Sequence, residues 1–93
     1  MMLKEVTILE EDVALLDEIS DSFQILLYND DVNTFDWVIE CLVKICKHDE
    51  LQAEQCAMLV HYKGKAVVKN GSLEEMKVIC QALCDCELSA VVE

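Results

Sequence analysis

Ile25-Leu26-Leu27-Tyr28-Asn29-Asp30-Asp31-Val32-Asn33-Thr34-Phe35-Asp36-Trp37 is the stretch on which the reading of this chain turns. It starts as an apolar strand, breaks into short polar residues and re-emerges as an amphipathic helix. Asn-Asp-Asp ends the strand because these side chains compete for backbone hydrogen bonds and favour turns. Asn33 is the expected N-cap of the helix, its side-chain oxygen accepting from the amide near Asp36, a carboxylate suited to a helix N-terminus. The stretch therefore makes a concave corner of two carboxylates and two amides beside a hydrophobic wall. Such a corner suits a ligand that is small, cationic and partly apolar. Its bland reading is a strand-to-helix turn whose acids are solvated.

Upstream of the helix, Phe23 to Tyr28 forms the first strand, with Phe23, Ile25 and Leu27 on one face. Downstream, the spacing predicts a helix from about Thr34 to Lys47. Phe35, Val38, Ile39, Leu42, Ile45 and Cys46 make its apolar stripe. His48-Asp49 breaks it, and Asp49 with Gln52 forms a capping box for a second helix over about Glu50 to Lys63. Ala53, Cys56, Ala57 and Val60 lie on its buried side, and Lys63-Gly64 suits its C-terminus. Ala66-Val67-Val68 is a short second strand, after which Asn70-Gly71 turns the chain. Ser72 with Glu75 caps a third helix that runs to about Asp85 and packs Met76, Ile79, Cys80 and Leu83. Leu88 to Val92 closes the chain as a third strand. The fold class is α+β: one small domain of order β-α-α-β-α-β, a three-stranded sheet packed against three helices.

Residues 1–22 read differently. Seven acids there face a single Lys4, a net charge of −6. Val13, Leu16 and Ile19 keep helical spacing but no capping signal accompanies them, so the segment is expected to be a mobile acidic extension with one or two helical turns. It is no secretory signal, which needs a basic start and an apolar run. The core domain is expected over residues 23–93.

The whole chain has 93 residues, 54% of them hydrophobic, enough for one small, well-supplied core. Its 19 acidic and 7 basic residues give a net charge of −12, which phosphate backbones and anionic membranes repel. Nucleic acid and membrane are therefore excluded as partners, and a cationic or basic partner surface fits better. No stretch approaches the ~20 apolar residues of a membrane span, so a soluble, cytoplasmic protein is expected. Cys41, Cys46, Cys56, Cys80, Cys84 and Cys86 contain no CxxC pair and mostly fall within helical patterns, where cysteine behaves as a small buried hydrophobe. Neither a disulfide scaffold nor a metal site is expected, although Cys80, Cys84 and Cys86 with His48 or His61 can be drawn as one. No cofactor is expected.

Two motifs carry a family resemblance. Leu26-Leu27-Tyr28-Asn29-Asp30-Asp31, followed by a helix, and Val60-His61-Tyr62-Lys63-Gly64-Lys65-Ala66 resemble the ClpS family over about residues 23–93. These are adaptors that deliver proteins with destabilising N-terminal residues to the Clp AAA+ protease. The resemblance implies that Asn29 and His61 hold the substrate's free α-amino group, with Asp30 and Asp31 beside the amine and the first peptide bonds. Asn33, Phe35, Val38, Ala57, Val60 and Leu88 fall at the hydrophobic pocket for the first side chain. Phe35 and Ala57 stand where the family often has Met, and Val32-Asn33-Thr34 replaces its usual Tyr-Thr-Pro. Lys77 is the one candidate for docking on the unfoldase, a ClpA- or ClpC-like partner. The implied substrates are proteins beginning with Phe, Leu, Tyr or Trp, and the acidic extension is implied to help engage the unfoldase.

Physical chemistry supports this reading independently. An α-amino group, with a pKa of ~7.7–8.0, is mostly cationic at neutral pH and suits carboxylate and amide acceptors. A bulky apolar first residue gains ~1.5–3 kcal/mol on burial. Two rivals remain. Paired Asp30 and Asp31 suit acid–base catalysis, but neither motif places a Ser or Cys nucleophile near a histidine, so the chain is not expected to be an enzyme. A generic docking domain that does not read N-termini would instead show an exposed apolar helix face without an acidic pocket.

Overall fold

The computed structural model describes residues 22–93. The elements are β1 (Phe23–Tyr28), α1 (Phe35–Ile45), α2 (Glu50–Lys63), β2 (Lys65–Gly71), α3 (Leu73–Asp85) and β3 (Ser89–Val92). This is the expected α+β order. The expected mobile extension, with its Val13, Leu16 and Ile19 helix, lies outside the described residues apart from Ser22.

β1 is the central strand of an antiparallel sheet of order β2-β1-β3. Ile25 and Leu27 point from β1 into the core, where they meet Ala66, Val68 and Ala90 of the flanking strands and Leu42, Ala53, Val60, Met76 and Leu83 of the helices. All three helices thus cover one face. Leu26 points the other way, pairing with Val67 and Val91. It is buried between them, while Val67 and Val91 are 40% and 43% exposed.

Two local expectations differ from the structure. β2 is longer than expected, because Asn70 and Gly71 pair with Gln24 and Phe23 instead of turning the chain. An edge strand tolerates poor strand formers, and the turn itself is postponed to Ser72, whose Oγ accepts from Glu75 N at 3.1 Å. A register shift opposite Ile25 and Leu26 accommodates the extra β2 residue as a bulge. The N-cap of α1 is Thr34, not Asn33: Thr34 Oγ1 accepts from Trp37 N at 3.1 Å. Asn33 is occupied elsewhere, as the corner shows below.

The two histidines separate. His48, read from sequence as part of a helix break and as one histidine that can be drawn with the cysteines, is 5% exposed and donates from Nε2 to Val68 O at 2.7 Å. It ties the α1–α2 connection to β2. Cys41 and Cys46 are likewise buried, and all six cysteines are free thiols. Burial pushes the Cys46 thiol up to about 11, and burial with the neighbouring Cys86 pushes Cys41 up to about 12. Both behave as core hydrophobes rather than nucleophiles.

Candidate functional site

β1 ends at Tyr28, and three helix ends meet just beyond it. Asn29 N donates to Gly64 O at 2.9 Å, fixing the corner to the C-terminus of α2. Gly64 holds φ +91, a left-handed conformation that lets α2 pass directly into β2 and turns its carbonyl toward Asn29. The end of α3 closes the other side. There Asn33 Nδ2 donates to Glu87 O at 2.8 Å, and Trp37 Nε1 donates to Cys86 O at 3.2 Å.

Asp30 is the organiser of this corner. Its Oδ1 accepts from Val32 N and Asn33 N, both at 2.9 Å, and Asn33 Nδ2 reaches Oδ2 at 3.0 Å. Ser89 Oγ adds a longer contact to Oδ2 at 3.5 Å. The Asn33 backbone amide, followed by its side chain and the Val32 amide, outweighs desolvation and lowers the Asp30 pKa below the ordinary carboxylate value. Asp31 is exposed, and among the described residues its carboxylate has no hydrogen-bond partner. The C-terminal carbonyls of α2 and α3 lend the corner negative potential, offset in part by the positive N-terminus of α1.

The corner opens into a cavity of about 570 Å³. Asn29, Asp30, Asp31 and His61 contribute its polar lining, and Asn33, Phe35, Val38, Ala57 and Val60 also border it. Leu88 borders a small adjoining depression of about 20 Å³ shared with Asn29, Asp30, Asn33, Val38 and Val60. Val60 and Ala57 are buried floor residues, whereas Phe35 is 40% exposed at the edge. His61 is exposed on the last turns of α2 and packs edge-on against Tyr62, ring centroids 4.9 Å apart. Lys77 is exposed on α3 and does not border this cavity.

Three lining residues were not foreseen: Glu54, Met58 and Tyr62. Glu54 and Met58 lie four apart on α2, and Met58 lies three before His61, so extending the His61 face by helical spacing finds both. Tyr62 follows His61 directly and is exposed on the last turn of α2. Among the described residues no group of three or more His, Cys, Asp or Glu is arranged to hold a metal ion.

Fold and site define a small α+β domain with one cavity that joins an acidic, amide-rich corner to an apolar floor. The family model described as ATP-dependent Clp protease adaptor protein ClpS matches residues 18–89, and the chain belongs to that family. An ATP-dependent Clp protease adapter protein ClpS of Shewanella halifaxensis is 36% identical over 59 residues, 63% of this chain and 58% of that protein. The adapter of the same name from Serratia proteamaculans is 36% identical over 59 residues, 61% of this chain and 56% of that protein. The match thus spans less than two thirds of these relatives' length. The solved structure of Agrobacterium tumefaciens ClpS2 bound to L-phenylalaninamide shares the fold, with a TM-score of 0.73 at 20% identity. That likeness covers 80% of this chain and 96% of the other. No helix among the described residues is long and apolar enough to cross a membrane.

Proposed function

We propose that this protein is an adaptor that binds the free N-terminus of proteins beginning with a bulky hydrophobic residue and delivers them to a Clp AAA+ protease. One observation carries the reading: a single cavity of about 570 Å³ combines Asn29, Asp31 and His61 with the apolar side chains of Phe35, Val38, Ala57 and Val60. An ammonium group at the corner and a large side chain over the floor use both halves at once. L-phenylalaninamide, the molecule bound by the Agrobacterium tumefaciens protein, has this chemistry: a free amine beside a phenyl ring.

In this reading Asn29, Asp31 and His61 receive the α-amino group, while Asp30 holds Asn33 and the corner in place. The floor takes Phe, Leu, Tyr or Trp. Lys77, exposed on α3 away from the pocket, is the candidate contact to a ClpA- or ClpC-like unfoldase, and residues 1–22 serve delivery rather than substrate binding. The chemistry required is binding alone, with no bond made or broken. Titration with peptides that differ only at the first residue tests the assignment. Phe, Leu, Tyr and Trp are expected to bind at least tenfold tighter than Ser or Gly, the hydrophobic gain of ~1.5–3 kcal/mol corresponding to roughly that factor. Indifference to the first residue would mark a generic docking surface instead.

A further inference from the structure

A separate cavity of about 280 Å³ lies where the α1–α2 connection, the start of α2 and the last residues of β2 converge. It is at the other end of β2 from the pocket. Lys65 pairs with Tyr28 beside the corner, whereas Asn70 pairs with Gln24 and borders this second cavity. Its charged border is of one sign. Lys47 and Lys69 line it and, among the described residues, no Asp or Glu does. In a chain of 7 basic and 19 acidic residues, that is the reverse of the prevailing charge. Gln52 and Asn70 add side-chain amides. Asp49, next in the chain after His48, is engaged by its own helix, its Oδ1 accepting from Gln52 N at 2.8 Å.

The local structure supplies donors here in excess of acceptors. Lys69 Nζ donates to Cys46 O at 2.9 Å, which answers a carbonyl at the end of α1 and leaves two of its N–H groups for another acceptor. Lys47 holds φ +63, a left-handed conformation that glycine or asparagine adopts at lower cost after a helix. A lysine there carries that strain and sets an exposed cation on the cavity border. His48 borders the cavity as well, and its Nδ1 is buried with no hydrogen-bond partner among the described residues. Because Nε2 already donates to Val68 O, a proton on Nδ1 finds no acceptor among them.

We infer that this cavity binds a small tetrahedral oxyanion of the phosphate class, held by Lys47 and Lys69, with Gln52, Asn70 and the His48 ring as further donors. The four oxygens of a phosphate match this many donors better than the two of a carboxylate. The net charge of −12 opposes any anion at long range, so affinity comes from these contacts. The ion bridges the α1–α2 connection to β2 and therefore stabilises the folded chain by mass action. This site is independent of the N-terminus pocket and stands or falls without it.

The test is a titration of the full chain with sodium phosphate, ionic strength held constant with sodium chloride, followed by NMR and by thermal melts. Saturable shifts at Lys47, His48, Gln52, Lys69 and Asn70 are expected, with a melting temperature that rises as phosphate replaces chloride. Lys47→Gly relieves the left-handed backbone while removing one ammonium. It is expected to melt no lower than wild type in chloride, yet to bind phosphate about tenfold more weakly. Lys63→Gln, an equal loss of charge at the far end of α2, is expected to bind phosphate as wild type does. Sodium acetate is expected to bind more weakly than phosphate, and equal binding would overturn the phosphate class. Shifts that do not saturate, or equal losses in the two variants, would overturn the site. So would a melting-temperature gain shared equally by wild type and Lys47→Gly, which marks general exclusion of phosphate from the protein surface.

Discussion

Asp30 and Asp31 are adjacent and chemically alike, yet their surroundings give them different work. The Asp30 carboxylate is filled by the Val32 and Asn33 amides and the Asn33 side chain, whereas Asp31 faces solvent at the cavity edge. Asp30→Ala is therefore expected to cost about 1 kcal/mol of stability and to weaken peptide binding indirectly, through loss of the corner. Asp31→Asn is expected to weaken binding of a free amine while leaving the melting temperature unchanged. Their pH signatures differ as well. The lowered folded pKa of Asp30 means that its contribution to stability is complete above the unfolded value of ~3.9 and disappears as pH falls through the folded value. The melting-temperature gap between wild type and Asp30→Ala should therefore close in acid. A gap that persists at pH 2 would mean that the carboxylate charge is irrelevant to the corner. Phe35 acts on the apolar side of the same cavity. Val38 and Val60 are stiff at χ1, and a rigid ring beside them crowds a branched β-carbon by ~1–3 kcal/mol. Phe35→Ala should improve binding of Ile- and Val-starting peptides more than Leu-starting ones, measured by titration of both proteins. Equal losses for every peptide would make Phe35 a general contact rather than a gate.

Among the elements, the local packing around Gly71 makes a sharp prediction. A Cβ there would meet Glu75 Oε1 at 2.9 Å and Met76 Cε at 3.0 Å, and Met76 is fully buried. Gly71→Ala is expected to lower stability by about 1 kcal/mol in denaturant melts, the low end of overpacking because both contacts are side-chain ends. No loss of stability would show that the Glu75 and Met76 side-chain ends move aside without cost. The same region shows why some elements were legible and others were not. Helices α2 and α3 begin where Asp49 and Ser72 announce them, because a cap is a contact between residues three apart. The Asn70-Gly71 pair misled, since its turn preference is overridden by pairing with Gln24 and Phe23 on β1. Asn33 misled for a related reason: its amide joins Glu87, 54 residues away, and Thr34 takes the cap. Local chemistry is readable from spacing, whereas bonds that close only on folding are not. For the pocket, the two motifs pointed to Asn29, Asp30, Asp31 and His61, whereas Glu54 and Met58 lie outside both motifs and are reached only by following the helical spacing back from His61.

At the scale of the whole molecule, the core cluster of the described residues draws on side chains from Phe23 to Val92, while the acidic segment lacks the capping signals and strand patterns of that core. Deleting residues 1–22 should therefore leave peptide affinity unchanged while abolishing delivery to the protease. Full acceleration of substrate degradation by the truncated protein would reduce the acidic segment to a solubility feature. The central claim, however, concerns the polar corner and the apolar floor acting together on one ligand end. Titration of a Phe-starting peptide with a free N-terminus against its N-acetylated twin tests it most directly. Acetylation removes the charge and leaves the corner's acceptors facing an amide, a cost of ~1–3 kcal/mol or more. The account predicts a loss of at least tenfold in affinity on acetylation; equal affinities for the two peptides would contradict it.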